Sequence, residues 1–141
     1  MNTKRLAGCG TALVTPFTKS GEIDEKSLRS FVEWQISSGV HFLVPCGSTG
    51  EAATLTTAEH RSVVEITVEQ ARGRVPVVAG AGRSGPKKAI ETSRAMRGVG
   101  ATHLLPTPPA YNKPPPRGSV APFPAHRACP NSPHRIPNMP G

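Results

Sequence analysis

Several residue types are scarce in this chain, and each scarcity argues against a class of protein. Its 141 residues include three cysteines, one tryptophan, one tyrosine and four phenylalanines. Cys9, Cys46 and Cys129 are widely spaced, with no CxxC pair, so neither a disulfide framework nor a metal site is expected and the thiols are expected to be buried. There is no run of 18 apolar residues, and no apolar signal-type core follows the first residues. The sequence therefore predicts a soluble, cytoplasmic protein with no membrane partner.

Acidic residues are absent after Glu91, and this explains the basic character of the chain. The net charge is +8 at pH 7, yet six of the 17 Lys and Arg residues lie beyond the last acid. Twelve of the 16 prolines lie at or after Pro106, and Phe123 is the only aromatic residue after Lys113. Nucleic-acid readers combine basic residues with aromatic ones on a structured face. The sequence therefore predicts no nucleic-acid partner.

Strand and helix signals alternate through residues 1–105. Four apolar runs predict strands at 12–14, 42–46, 75–82 and 101–105. The intervening stretches have apolar residues at helical spacing, with starts indicated by Asp24, by Thr56 or Thr57 with Glu59, and by Pro86. Such units form parallel βαβ arrays, and two arrangements are possible: an open doubly wound sheet or half of an eight-stranded barrel. No GxGxxG motif follows the first strand, which favours half of a barrel.

The stretch FLVPCGSTGE at residues 42–51 is the candidate ligand-binding loop. A short apolar run stops at Gly47 and Gly50, which bracket Ser48 and Thr49, and a helical pattern follows. Ligands of α/β proteins bind at the carboxyl ends of parallel strands. Free backbone N–H groups and two hydroxyls there could hold a small anion. On the local pattern alone, an ordinary βα turn with a Ser/Thr cap is also open.

Residues 106–141 have a different composition from the rest of the chain. Proline recurs every few residues, which excludes a regular helix, and no hydrophobic period is present from residue 119 onward. The sequence therefore predicts three parts: a βαβαβαβ unit at 1–105, a loop at 106–118, and an irregular or disordered tail at 119–141.

Five segments in collinear order resemble the dihydrodipicolinate synthase family of pyruvate-dependent class I aldolases, whose superfamily includes N-acetylneuraminate lyase. They are GTALVTPF at 10–17, VPCGSTGEAATL at 44–55, EH at 59–60, RVPVVAG at 74–80 and YNKP at 111–114. The resemblance implies an α/β fold that is the first half of a (β/α)8 TIM barrel, truncated, with an active-site-type loop at 106–118 and a Pro-rich tail. The implied reaction condenses pyruvate with aspartate semialdehyde in lysine biosynthesis, through a lysine Schiff base and without a cofactor or metal.

The resemblance also assigns site residues. Ser48 and Thr49 match the pair whose backbone amides hold the pyruvate carboxylate, and Ser48 matches a hydroxyl of the proton relay. Tyr111 matches a relay tyrosine contributed across a subunit interface, whereas Pro137 occupies the place of the second relay tyrosine. No lysine of the chain matches the imine-forming lysine, which family members carry on their sixth strand.

The resemblance therefore implies an incomplete chain that is inactive alone, from a family whose intact members form homo-oligomers of the tetramer-of-dimers type. Two other interpretations stay open. The chain could belong to a sister aldolase such as N-acetylneuraminate lyase, or it could be a non-catalytic binding fragment.

Overall fold

Strands and helices alternate along the part of the chain that the structure, a computed structural model, describes, namely residues 6–82 and 86–106. The elements are β1 (Gly10–Ala12), α1 (Glu25–Ser37), β2 (Phe42–Val44), α2 (Thr57–Ala71), β3 (Val78–Gly80), α3 (Pro86–Gly98) and β4 (His103–Leu105). The order and type of all seven predicted elements are confirmed. The rest of the predicted loop and the whole predicted tail, at 107–141, lie outside the described residues.

The strands are shorter than the apolar runs, and β1 lies two residues earlier than predicted. Its ladder with β2 starts where the His41 N–H donates to the Cys9 carbonyl (2.8 Å) and ends where the Leu13 N–H donates to the Val44 carbonyl (3.0 Å). β2 ends before its predicted limit because Cys46 has a left-handed backbone (φ 55°), which breaks the extended conformation.

The four strands lie side by side in sequence order, and all of them are parallel. Gly10 of β1 is opposite Phe42 of β2, and Val78 of β3 is opposite His103 of β4. A parallel bridge between Leu43 and Val77 joins the two pairs. Consecutive neighbours are the arrangement of a (β/α)8 barrel, whereas a doubly wound sheet reverses its strand order near the first strand. The half-barrel prediction is therefore confirmed.

Helix ends follow the capping signals of the sequence. Asp24 caps α1 by accepting a hydrogen bond from the Ser27 N–H (3.0 Å), and this bond lowers the pKa of the Asp24 carboxyl. Thr56, rather than Thr57, caps α2 in a capping box with Glu59. The same contacts with Thr56 lower the pKa of the Glu59 carboxyl.

The apolar core lies between the sheet and the helices. Its larger members are Leu13, Leu28, Val32, Leu43, Leu55, Val63, Val64, Ile66, Val77, Met96 and Leu104. On the outer side, Arg29 of α1 pairs with Glu69 of α2, and Arg74, in the segment that follows α2, pairs with Glu33 of α1, each at 2.6 Å. The core fixes the sheet against the helices and leaves the strand ends free to carry loops.

Two of the three thiols lie within the described residues, and they differ in exposure. Cys46 is buried, but Cys9 is exposed. The expectation of buried thiols is therefore wrong for Cys9, which precedes β1 and has no place in the core. Within the described ranges, no helix has the length and apolar composition needed to cross a bilayer.

Candidate functional site

The loop after β2 forms consecutive tight turns at the carboxyl end of the sheet. The Gly50 N–H donates to the Gly47 carbonyl, and the Glu51 N–H donates to the Ser48 carbonyl, each at 3.1 Å. A longer bond of 3.4 Å joins the Ala52 N–H to the Gly47 carbonyl. The side chains at the tip of the turn, Ser48 and Thr49, are exposed.

These internal bonds orient the backbone N–H groups of Ser48 and Thr49 outward. In a planar trans peptide the C=O and the N–H point in opposite directions. The Gly47 carbonyl shares a peptide unit with the Ser48 N–H, and the Ser48 carbonyl shares one with the Thr49 N–H. Because both carbonyls are bonded within the turn, both N–H groups point away from it. Neither donates to any acceptor among the described residues, so two adjacent donors are left available to an anion.

Neighbouring strand ends hold this turn from below. The Thr15 hydroxyl, in the segment that follows β1, donates to the Gly50 carbonyl at 2.7 Å. A side chain on Gly50 would put its Cβ 2.9 Å from the Leu13 carbonyl oxygen and 3.1 Å from the Cys46 nitrogen. Glycine at 50 therefore reflects close backbone packing, in addition to any approach of a ligand.

The end of β3 packs even more tightly against the same loop. A Cβ on Gly80 would overlap the Cys46 carbonyl oxygen and lie 2.5 Å from its carbon. The Gly80 N–H donates to the Pro45 carbonyl (3.0 Å), and the Gly80 carbonyl accepts a bond from Nε2 of His60 (2.8 Å). The His60 ring is almost fully buried, and because a carbonyl only accepts, Nε2 carries the proton. His60 thereby connects α2 to the end of β3, on which the loop packs.

Of the predicted site residues, Ser48 and Thr49 lie together at the tip of the turn. Tyr111 and Pro137 lie outside the described residues, so their placement relative to the turn stays a prediction. Sequence reasoning missed Thr15 and Gly80 as supports of the loop. Their signal was a polar residue or a glycine at the end of an apolar run, a pattern also typical of ordinary loops.

The arrangement suits a small carboxylate. Two adjacent N–H groups can donate to its two oxygens, and the hydroxyls of Ser48 and Thr49 stand beside them. Within residues 6–82 and 86–106 no group of three or more His, Cys, Asp or Glu side chains is placed to hold a metal ion.

Parallel strands in sequence order, with the turn at Ser48 and Thr49 at their carboxyl edge, define an α/β chain of the TIM-barrel class. Comparison with known proteins gives the family. The model of the dihydrodipicolinate synthetase family matches residues 5–141, so the chain belongs to that family, as its sequence motifs predict.

Individual relatives agree with this assignment. The 4-hydroxy-tetrahydrodipicolinate synthase of Maridesulfovibrio salexigens is 49% identical over 134 residues, which cover 95% of this chain and 46% of the relative. The enzyme of the same name from Rhodospirillum centenum is 46% identical over 134 residues, with the same coverage of 95% and 46%.

Solved structures give the same fold. The chloride-inhibited dihydrodipicolinate synthase of Acinetobacter baumannii, complexed with pyruvate, has a TM-score of 0.84 at 38% identity, covering 89% of this chain and 43% of that one. The 4-hydroxy-tetrahydrodipicolinate synthase of Methylacidiphilum fumariolicum has a TM-score of 0.83 at 34% identity, covering 88% and 41%. The chain spans just under half the length of the relatives it matches.

Proposed function

We propose that the turn at Ser48 and Thr49 binds the carboxylate of pyruvate. The activity that this binding serves is the condensation of pyruvate with aspartate semialdehyde by a 4-hydroxy-tetrahydrodipicolinate synthase, a lyase of the diaminopimelate route to lysine. The observation that carries the proposal is the pair of outward N–H groups, which have no acceptor among the described residues. The A. baumannii relative was solved with pyruvate, which supports the choice of anion.

The turn accounts for binding and orientation of pyruvate rather than for covalent chemistry. Imine formation needs an amine whose charged form is disfavoured by burial. Three lysines whose burial the structure describes, Lys19, Lys26 and Lys88, are exposed. We therefore assign no imine to them and expect the chain alone to hold pyruvate without condensing it. The relay roles of the Ser48 hydroxyl and of Tyr111 belong to the same proposal.

The relatives favour the synthase over a sister aldolase. A carboxylate-binding turn serves any 2-oxo acid, so the turn by itself does not distinguish the two. The two relatives described above are named as synthases. A cytoplasmic location fits the exposed free thiol of Cys9, because such thiols persist in reducing compartments.

Amide resonances of the full ¹⁵N-labelled chain test carboxylate binding directly. Addition of pyruvate should shift the Ser48 and Thr49 amide signals in a saturable way, whereas pyruvamide, which lacks the charge, should not. Shifts spread over the basic residues, with none at the turn, would show non-specific anion binding and refute the proposal.

A pair of proline substitutions provides a matched test. Thr49→Pro removes one of the two donors and should abolish the saturable response. Thr57→Pro makes the same chemical change at the first position of α2, where proline is tolerated and the preceding Thr56 is already extended (ψ 164°). Thr57→Pro should bind pyruvate as the parent chain does. Borohydride added with pyruvate should leave the mass of the chain unchanged, and a reduced adduct on a lysine would contradict the non-covalent role.

A further inference from the structure

We propose that Thr15 is a positioning residue for this site, because its buried hydroxyl sets the direction of the Thr49 N–H through two linked peptide units. The inference rests on the carboxylate-binding function proposed above. Thr15 is 35 residues away from Gly50 in sequence and itself contacts no ligand position identified on the turn.

The first link is the hydrogen bond between the Thr15 hydroxyl and the Gly50 carbonyl. Its length is 2.7 Å, and both residues are buried, Thr15 being 5% exposed. Among the described residues no other group donates to this carbonyl. A buried carbonyl that loses its only donor keeps the full cost of its desolvation, so the bond strongly favours this orientation of the Gly50–Glu51 peptide.

The second link passes from that peptide to the tip of the turn. The Glu51 N–H belongs to the same planar unit as the Gly50 carbonyl, and it donates to the Ser48 carbonyl at 3.1 Å. The Ser48 carbonyl in turn belongs to the same unit as the Thr49 N–H. Rotation of the first unit would release the second, and the Thr49 N–H would lose its fixed direction.

The conformation of Glu51 explains why the turn needs this anchor. Its φ of 54° lies in the left-handed region, which is unfavourable for a residue with a side chain. On its carboxyl side the Glu51 carbonyl accepts bonds from the N–H (2.9 Å) and the hydroxyl (2.8 Å) of Thr54. On its amino side, the Thr15 hydroxyl holds the adjoining carbonyl. Without it, the Gly50–Glu51 peptide can rotate toward a less strained backbone.

Two substitutions separate the hydroxyl of Thr15 from its packing. Thr15→Val keeps the shape and the methyl group but removes the donor. Thr15→Ser keeps the donor but removes the methyl group. If Thr15 acted only by filling space, Thr15→Ser would weaken pyruvate binding more than Thr15→Val. If its hydroxyl positions the turn, Thr15→Val weakens binding more, and Thr15→Ser retains it.

Pyruvate titration of the ¹⁵N-labelled full chain, followed at the Ser48 and Thr49 amides, is the test. We expect Thr15→Val to weaken pyruvate binding by on the order of tenfold, because the turn loses one hydrogen bond that holds it in the binding conformation. The affinity of Thr15→Ser should stay within about twofold of that of the parent chain. Hydrogen exchange of the Glu51 N–H should accelerate in Thr15→Val and not in Thr15→Ser. The amides of Val64 and Ala79, in the core, should be unchanged in both variants, which shows that the fold is retained.

The outcomes distinguish the two proposals. Pyruvate binding that survives Thr15→Val undiminished, with Glu51 exchange unaltered, would overturn the positioning role alone. Equal weakening of pyruvate binding in Thr15→Val and Thr15→Ser would also overturn it, because the packing of Thr15 would then explain the effect without its hydroxyl. No pyruvate response at the turn in the unaltered chain would overturn the proposed function and this inference with it.

Discussion

The contact between Gly80 and the Cys46 peptide predicts that Gly80→Ala damages the fold at the base of the site. The added methyl carbon would lie 2.5 Å from the Cys46 carbonyl carbon and 3.1 Å from the Gly47 nitrogen. Both neighbours are backbone atoms of the loop after β2, so no side chain can rotate away to make room. The end of β3 and the loop after β2 would have to separate by about 1.5 Å to restore ordinary contact distances, because the Cβ would overlap the Cys46 carbonyl oxygen.

The cost of that separation follows from the contacts it would break. Overpacking of a tight site costs about 1–3 kcal/mol. The bonds from the Gly80 N–H to the Pro45 carbonyl and from His60 to the Gly80 carbonyl would each weaken, at about 1 kcal/mol net per bond. The expected loss is therefore at least about 3 kcal/mol, a large part of the 5–15 kcal/mol that stabilises a typical domain. At roughly 4 °C per kcal/mol it corresponds to a fall in Tm of about 12 °C.

Urea unfolding followed by circular dichroism measures this change. With a denaturant slope of about 1.5 kcal/mol per molar, the midpoint should fall by about 2 M. Gly47→Ala is the matched control, because a Cβ there meets nothing within 4 Å and the backbone needs no left-handed conformation. A Gly80→Ala midpoint equal to that of Gly47→Ala would refute the reasoning, since it would show that the strand end and the loop are not in close contact.

Three further predictions concern helix ends and the surface between α1 and α2. Arg72 ends α2 with a φ of 50°, so Arg72→Gly should raise the Tm by about 2–4 °C, and a lower Tm would contradict this. Thr56→Ala should cost about 1 kcal/mol in urea unfolding and Thr56→Ser much less, because only serine keeps the oxygen of the capping box; equal losses would be inconsistent with capping. Hydrogen bonds from the Arg74 guanidinium lower the pKa of Glu33 to about 2 from 4.5, so the stability that this pair adds is present above about pH 5 and lost as the pH falls through about 2. The Tm difference between the parent chain and Glu33→Gln should shrink over that range, and a difference that grows on acidification would be contrary to this assignment.

Much of the fold could be predicted from the sequence because its signals are local. Asp24 and Thr56 mark helix starts by hydrogen bonds that span three residues, and the apolar periods identify the faces that enter the core. Strand limits were less predictable. Val14 is apolar but 48% exposed, so it extended the predicted first strand beyond the ladder that β2 can provide. Ladder pairing is set by the partner strand, which a local pattern does not contain.

The site shows the same division between local and long-range information. The Ser48 and Thr49 pair was found because glycines bracket it within one short segment. Thr15 and His60 were not assigned supporting roles, because each acts through a bond to a distant backbone carbonyl. A threonine at a strand end or a histidine on a helix has no distinctive spacing that would reveal such a bond. Only the packing of three strand ends shows which carbonyls they meet.

The backbone contacts beneath the turn predict that substitutions at Gly80 and at Thr15 change stability and pyruvate affinity in different proportions. Gly80 lies where β3 meets the loop, so a change there alters both the sheet and the turn. The Thr15 hydroxyl bonds only to the Gly50 carbonyl among the described residues, so its loss should affect the turn more than the sheet. Gly80→Ala should therefore lower the Tm and the pyruvate affinity together, whereas Thr15→Val should lower the affinity with a smaller change in Tm. Equal ratios of the two effects in both variants would mean that the turn and the sheet unfold as one unit, and that the direction of the Thr49 N–H is set by global stability alone.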